Sequence, residues 1–199
     1  MSIKLKLVNK PEHISGIGYG QFNKIRDSDT FVHNHITYTT VIDHRNHRLQ
    51  ILRLESDEFI FVQNIYKFNN IPLTLPGNIL FYGMNRYEYL FIITELKGLE
   101  RIIMFSLKFN DGIFEITELD IYDYLNSSAD ISHGPGGPSI YGNIIAIPQY
   151  MLRKILLIEL NLDLLGINKV LQYIPDNEVL FGPIDTCFTR YGQLIVVDS

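Results

Sequence analysis

The sequence predicts an all-β domain in which a unit of about four short antiparallel strands recurs four times. Apolar runs of strand length start at residues 49, 102 and 155, each directly after a basic residue, so both intervals are 53 residues. A closer match joins residues 141–147 to residues 191–197, and each copy follows a Gly-Pro pair. The 199 residues suffice for one domain with a substantial core and are short for two.

The strands of the first three units can be placed in order. Each of the three runs lies between two other apolar runs, which predicts neighbouring strands of one sheet. The runs are at 36–42, 49–54 and 59–68, then 90–94, 102–107 and 113–125, then 143–147, 155–160 and 167–174. A shorter run ahead of each unit, clearest at 78–83, predicts a fourth strand. The apolar spacing over 151–165 also suits a helix, but Asn110-Asp111-Gly112 in the preceding unit is a typical turn between strands.

The fourth unit combines both ends of the chain. Residues 181–198 supply two strands, and the alternating segment 3–8 together with residues 13–20 supplies the other two. Sheets packed radially on both faces have continuously apolar central strands, and joining the terminal strands in one blade removes an exposed edge. The sequence therefore predicts a single domain, residues 1–199: a compact four-bladed β-propeller whose last blade is closed by N- and C-terminal strands.

Composition excludes several classes of function. A net charge of -5 argues against nucleic acid as a partner, because phosphate neutralisation needs a basic face. The chain has no apolar run long enough to predict a membrane helix, and we expect an intracellular, cytoplasmic protein or a virion component. The single cysteine, Cys187, excludes an intrachain disulfide and is expected to be buried. The abundance of Ile, Asn and Tyr is typical of AT-rich genomes, such as those of large DNA viruses and low-GC bacteria.

The repeat also brings polar residues together on the predicted channel axis. Positions equivalent to Asp185 are His133, Asn78 and Arg26, at intervals of 52, 55 and 52 residues. Carboxylate, imidazole and amide oxygen all suit a divalent ion, so Asp185, His133 and Asn78 form a candidate metal site. His33 and His35 are a second candidate pair, because alternate residues of a strand share one face.

One segment carries a family resemblance. Residues 182–198 contain a Gly-Pro pair, Asp185, a turn with Gly192 and an apolar strand that ends in Asp198. This order resembles the blade openings of gluconolactonase-type β-propellers. The resemblance implies the propeller fold, with a channel metal held by two acids and an Asn that polarises a lactone carbonyl. This chain offers one acid, Asp185, at the equivalent ring and lacks the family's Glu-Gly-Pro opening.

Two functions follow from these observations. The first is a non-enzymatic interaction module that needs no cofactor and binds another protein through a loop rim, because the chain shows no complete catalytic constellation. Exposed aromatic residues are typical of such surfaces. The candidate rim residues are Tyr82, Tyr87, Tyr89, Tyr122 and Tyr124. The alternative is a small metal-dependent, lactonase-like hydrolase with a divalent ion in the channel. Self-association into a homo-oligomer is a third interpretation.

Overall fold

A computed structural model shows an all-β protein. It describes residues 16–68, 71–83, 88–95, 101–110, 113–123, 136–150, 152–161, 166–174 and 180–199. The one helical turn within these ranges is a short 3-10 turn at His44–Asn46. Nothing in the described ranges forms a helix with the length and apolar character needed to cross a membrane.

The first sheet contains four antiparallel strands in chain order. They are β1 (Ile25–His33), β2 (Ile36–Asp43), β3 (Arg48–Glu55) and β4 (Glu58–Ile65). Two-residue turns, Asn34-His35 and Ser56-Asp57, join β1 to β2 and β3 to β4. All four turn residues have positive φ, between 44° and 70°, which gives the hairpin twist that matches right-handed strands. A small hairpin of β5 (Lys67–Phe68) and β6 (Ile71–Pro72) leads to the next sheet.

The second and third sheets repeat this meander, and a hairpin follows them. The second sheet is β7 (Pro76–Gly83), β8 (Glu88–Glu95), β9 (Arg101–Asn110) and β10 (Ile113–Asp123). The third is β11 (Ser139–Tyr141), β12 (Ile144–Gln149), β13 (Lys154–Asn161) and β14 (Gly166–Ile174). The hairpin is β15 (Pro183–Phe188) and β16 (Leu194–Asp198). Strand β13 occupies the segment whose apolar spacing also suited a helix.

The core consists of two apolar layers on opposite faces of the second sheet. Phe91 and Phe105 belong to the layer shared with the first sheet. Ile92 and Met104, their neighbours along β8 and β9, belong to the layer shared with the third sheet. All four side chains are at most 1% exposed. The continuous apolar runs of these strands are therefore explained by burial on both faces.

The N-terminal segment corrects one prediction. Residues 13–20 were expected to form a strand, but the described part, 16–20, consists of bends and turns. Arg48 holds this conformation, because its guanidinium donates to the carbonyl oxygens of Ile17, Gly18 and Gln21 at 2.8 to 3.0 Å. A backbone whose carbonyls bind a buried cation cannot use them in a ladder. Residues 3–8 lie outside the described residues, so closure of a four-bladed ring by terminal strands stays a prediction.

Candidate functional site

The first strands of the sheets and hairpin converge on an open cavity of about 350 Å³. Its walls are residues 27–29 of β1, 78–80 of β7, 137–138 before β11 and 184–185 of β15. Three of these residues are carboxylates, and among the lining residues there is no basic side chain. We call this space the axial cavity.

Two carboxylates of β1 fasten the first sheet to the second. Asp27 accepts a hydrogen bond from the backbone N–H of Ile79 at 3.0 Å, and Asp29 accepts one from Phe81 at 2.7 Å. Both amides belong to β7, the edge strand of the second sheet, whose outward N–H groups have no strand partner within the described chain. The alternation of β1 puts both carboxylates on the face that meets this edge.

Asp27 is a carboxylate of the axial cavity whose pKa is shifted by its surroundings. Its partial burial raises the pKa of the carboxyl group, and the negative charges of Asp29 and Asp185 raise it further. The hydrogen bonds from Ile79 and Ser28 act in the opposite direction, because they stabilise the ionised form. The net effect is a raised pKa, which makes Asp27 a better proton acceptor than an ordinary surface carboxylate once it is ionised.

The opposite wall depends on a close approach of the chain to β15. The carbonyl oxygen of Gly137 accepts hydrogen bonds from the N–H and the hydroxyl of Thr186, at 3.2 and 3.0 Å. A Cβ on Gly137 would clash with Oδ1 of Asp185, so a larger residue there would require the Asp185 carboxylate to move. Oδ1 of Asp185 accepts the N–H of Thr186 at 2.8 Å.

The structure brings two predicted ligands into the axial cavity. Asp185 and Asn78 both line it, whereas Arg26 is exposed outside it and Asp27 stands in its place. Strands β1, β7 and β15 each have a register irregularity beside the cavity, and counting along the repeat misses the lining residue of β1 by one position. His133 lies outside the described residues. Sequence reasoning missed Asp27 and Asp29, although their alternate spacing in a strand that leads a sheet was the available signal.

The described residues do not by themselves fit a divalent ion. No group of three His, Cys, Asp or Glu side chains in the described ranges has the spacing of a metal site. One carboxylate oxygen of Asp27 and one of Asp29 accept hydrogen bonds from backbone N–H groups of β7. These hydrogen bonds compete with coordination of a metal ion by the same oxygens. The channel metal implied by the resemblance therefore stays a prediction.

The other predicted residues have different positions from those expected. Tyr89 is 5% exposed, and its hydroxyl lies 2.8 Å from Nδ1 of the equally buried His33. His33 ends β1 and His35 lies in the following turn, so the two do not share a strand face. Cys187, expected to be buried, is exposed because it lies on the outward face of the β15–β16 hairpin.

The remaining rim tyrosines are only partly described. Tyr82 is half-buried and forms one wall of a second cavity of about 500 Å³, together with Asn143 and Glu159. Tyr122 lies in β10, where its backbone pairs with Ile102, but its side chain is outside the described part. Tyr87 and Tyr124 lie outside the described residues. Neither described tyrosine ring thus provides a fully exposed rim.

No protein-family model and no curated protein matches the chain. Among solved structures, two similar folds come from Bacteroides uniformis and Bacteroides fragilis, both provisionally assigned as 6-phosphogluconolactonases. They share 14% and 12% sequence identity with this chain and superpose on 86% of it, each with a TM-score of 0.60. The chain covers 46% and 47% of their lengths, so it spans about half of each. At this identity the likeness shows the fold alone, a succession of antiparallel sheets of the propeller type found in these proteins.

Proposed function

We propose that the axial cavity hydrolyses small uncharged lactones, with Asp27 as the proton acceptor. The observation that carries the proposal is the convergence of Asp27, Asp29, Asp185 and Asn78 on one open cavity. The similarity of the fold to proteins assigned as lactonases supports it in a general way. The lactonase-like alternative therefore stands ahead of the interaction module, whose described rim residues are buried or half-buried.

Each group has a role in this proposal. Ionised Asp27 accepts a proton from a water molecule, and the resulting hydroxide attacks the lactone carbonyl carbon. The tetrahedral oxyanion collapses, the ring C–O bond breaks, and the leaving alkoxide takes the proton back from Asp27. The balance is one lactone and one water to one hydroxy acid, which then releases a proton to solvent. Asn78, which binds Thr94 through its amide nitrogen, presents an amide to position the ring.

The charge of the cavity determines the substrate class. Three carboxylates and no basic side chain line it, so an anionic substrate meets like charge from the β1 and β15 walls and no compensating cation among the lining residues. An uncharged polyhydroxylated lactone avoids this repulsion, and its hydrolysis creates a carboxylate that the cavity repels. The phosphorylated substrate in the names of the two solved structures is thus not the one proposed here. Product release is favoured by the same charges.

The test is lactone turnover followed by proton release in a weakly buffered solution. Glucono-δ-lactone serves as the uncharged probe and 6-phosphogluconolactone as the anionic one. We expect Asp27→Asn to lower kcat by about 100- to 10,000-fold, the usual contribution of a positioned acid or base. Asp57→Asn, in the exposed turn between β3 and β4, is the matched control and should retain full turnover.

Two outcomes would contradict the proposal. If the unaltered chain hydrolyses the lactone no faster than the spontaneous reaction, the proposed activity is wrong. If Asp27→Asn and the unaltered chain have equal turnover, Asp27 is not the proton acceptor. A chelator arm addresses the predicted metal separately, because loss of turnover with chelator and its return with a divalent ion would restore the metal-dependent mechanism.

A further inference from the structure

The first sheet and the β15–β16 hairpin, which begin and end the series of sheets, each have exposed apolar residues on one face. The second sheet buries both faces, as the alternation of Phe91 and Ile92 shows. In the β15–β16 hairpin one face contacts the third sheet, through the 3.0 Å hydrogen bond between Ser139 and Thr186. The other face is exposed, with Ile195 53% and Val197 50% accessible. We call this the hairpin face.

The first sheet has a corresponding outward face, and the chain's own N-terminal segment covers its middle. Tyr19 stacks on Phe61 with ring centroids 4.5 Å apart, and the N–H of Gly20 donates to Gln50. Phe31 and Tyr38 contribute to the core, so their strand neighbours point away from it. On that outward side Val32 is 59% exposed, and Leu54 and its cross-strand partner Phe59 are 37% and 58% exposed. We call this the first-sheet face. A large apolar side chain exposed alone is ordinary, but these three lie at the end of the face that Tyr19 and Gly20 leave uncovered.

From these two faces we infer that a second copy of this chain completes the ring. The hairpin face of one copy contacts the first-sheet face of the other, and the reverse contact forms on the far side. Such a heterologous contact closes when the rotation between copies is half a turn. The chain covers 46% and 47% of the two solved structures of similar fold, so two copies together would about equal the length of one of them.

The second copy is favoured over other occupants by complementarity within one chain. Both faces are apolar, and they lie on the first and last members of one series, so each offers what the other lacks. In the ring, the first strands of both copies would line one channel, and the partner would contribute a second Asp27 and Asp185 to it. The inference does not depend on the proposed hydrolase, since its test measures mass and thiol access rather than turnover.

The first test is native mass spectrometry and light scattering across a dilution series. We expect a species of twice 23.0 kDa, about 46 kDa, that dissociates on dilution. Cys187 is an internal reporter, because it is exposed on the hairpin face of a single chain. Its labelling by a maleimide should be slow in the dimer and fast after dilution. A monomer at all concentrations would overturn the inference. Open-ended polymers would overturn it as well.

Charge variants then identify the faces. Ile195→Glu on the hairpin face and Phe59→Lys on the first-sheet face should each weaken dimerisation by about 100-fold or more, because each buries an unpaired charge at both contacts. Ile113→Lys, 62% exposed on β10, is the matched control and should leave the dimer intact.

Mixing the variants distinguishes the two dimer geometries. A pair of Ile195→Glu and Phe59→Lys chains contains one unaltered contact and one contact with opposite charges. The mixture should therefore dimerise where neither variant does alone. If Phe59→Lys alone has no effect, the hairpin faces contact each other symmetrically, and the proposed ring is wrong.

Discussion

At the scale of single residues, the raised pKa of Asp27 predicts a pH-dependent stability. A carboxyl group whose pKa is raised by folding stabilises the folded state at low pH, and this contribution is lost as pH rises through the raised pKa. The free energy of unfolding should therefore fall for the unaltered chain, relative to Asp27→Asn, as pH rises above the ordinary carboxyl value of 3.8 and through the raised pKa of Asp27. Urea denaturation across this range measures the difference. A free energy of unfolding that rises with pH for the unaltered chain, relative to Asp27→Asn, would contradict the assigned direction, and Asp57→Asn is the control.

The buried pair of Arg48 and Asp43 makes a second residue-scale prediction. Nε of Arg48 donates to Oδ2 of Asp43 at 2.8 Å, and the side chains are 1% and 0% exposed. Arg48→Met would leave a buried carboxylate without its cation and free the carbonyls of the N-terminal segment. We expect a loss of about 3–5 kcal/mol in the free energy of unfolding.

The matched control for this pair is Arg53→Met. Arg53 lies 2.7 Å from Glu55, but the two side chains are 40% and 48% exposed. Solvent screening and side-chain entropy limit such a pair to about 0–1 kcal/mol. Chemical denaturation of both variants measures the comparison, and similar losses at the two sites would show that burial does not set the strength of the Arg48 pair.

At the scale of elements, the packing of β15 depends on the absence of a side chain. A Cβ at Gly136 would lie 2.0 Å from the carbonyl oxygen of Ile184, which is backbone and cannot rotate away. Gly136→Ala should therefore displace β15 from the third sheet and lower stability by about 1–3 kcal/mol. Gly83→Ala is the control, because its nearest contact would be an ordinary 3.6 Å to the ring of Phe81. Thermal unfolding measures both, and an unchanged midpoint for Gly136→Ala would refute the close approach.

Strand positions were predictable from the sequence because burial on both faces leaves a continuous apolar run. The run at 102–107 lies inside β9 (Arg101–Asn110), and the run at 155–160 lies inside β13 (Lys154–Asn161). Register at the inner strands was not predictable in the same way. Register irregularities lie beside the cavity in β1, β7 and β15, and no hydrophobic pattern marks them. In β1 it is Asp27 and not Arg26 that lines the cavity. Counting along the repeat did reach Asn78 and Asp185, which both line the cavity.

Conformations set by distant contacts were also beyond the sequence pattern. Residues 16–20 have turn-like glycines, yet their path is fixed by Arg48, which lies about thirty positions away along the chain. Cys187 alternates with Thr186, and only the packing of the hairpin decides which of the two is buried. The path of a segment and the buried side of a strand both depend on which other element packs against them. The local sequence carries no information about that element.

At the scale of the whole molecule, the asymmetry between middle and ends predicts a gradient in hydrogen exchange. Amides of β9 lie between two buried layers, whereas β16 has one exposed face and one ladder edge without a partner in the described chain. We expect β9 amides to exchange most slowly and β16 amides fastest in dilute protein. Mass spectrometry of peptic fragments measures both in one experiment. Uniform protection across these strands would contradict the gradient.

The carboxylates of the axial cavity also limit how this protein can evolve. Asp27 and Asp29 give the cavity its charge, and the same two groups fasten β1 to the N–H groups of β7. A lineage that exchanged them for basic residues to accept an anionic ligand would lose the attachment of the first sheet before it gained the ligand. A change of ligand preference is therefore expected to occur by substitution of Asn78 and Asp185. We expect Asp27 and Asp29 to persist even in descendants that have lost the activity.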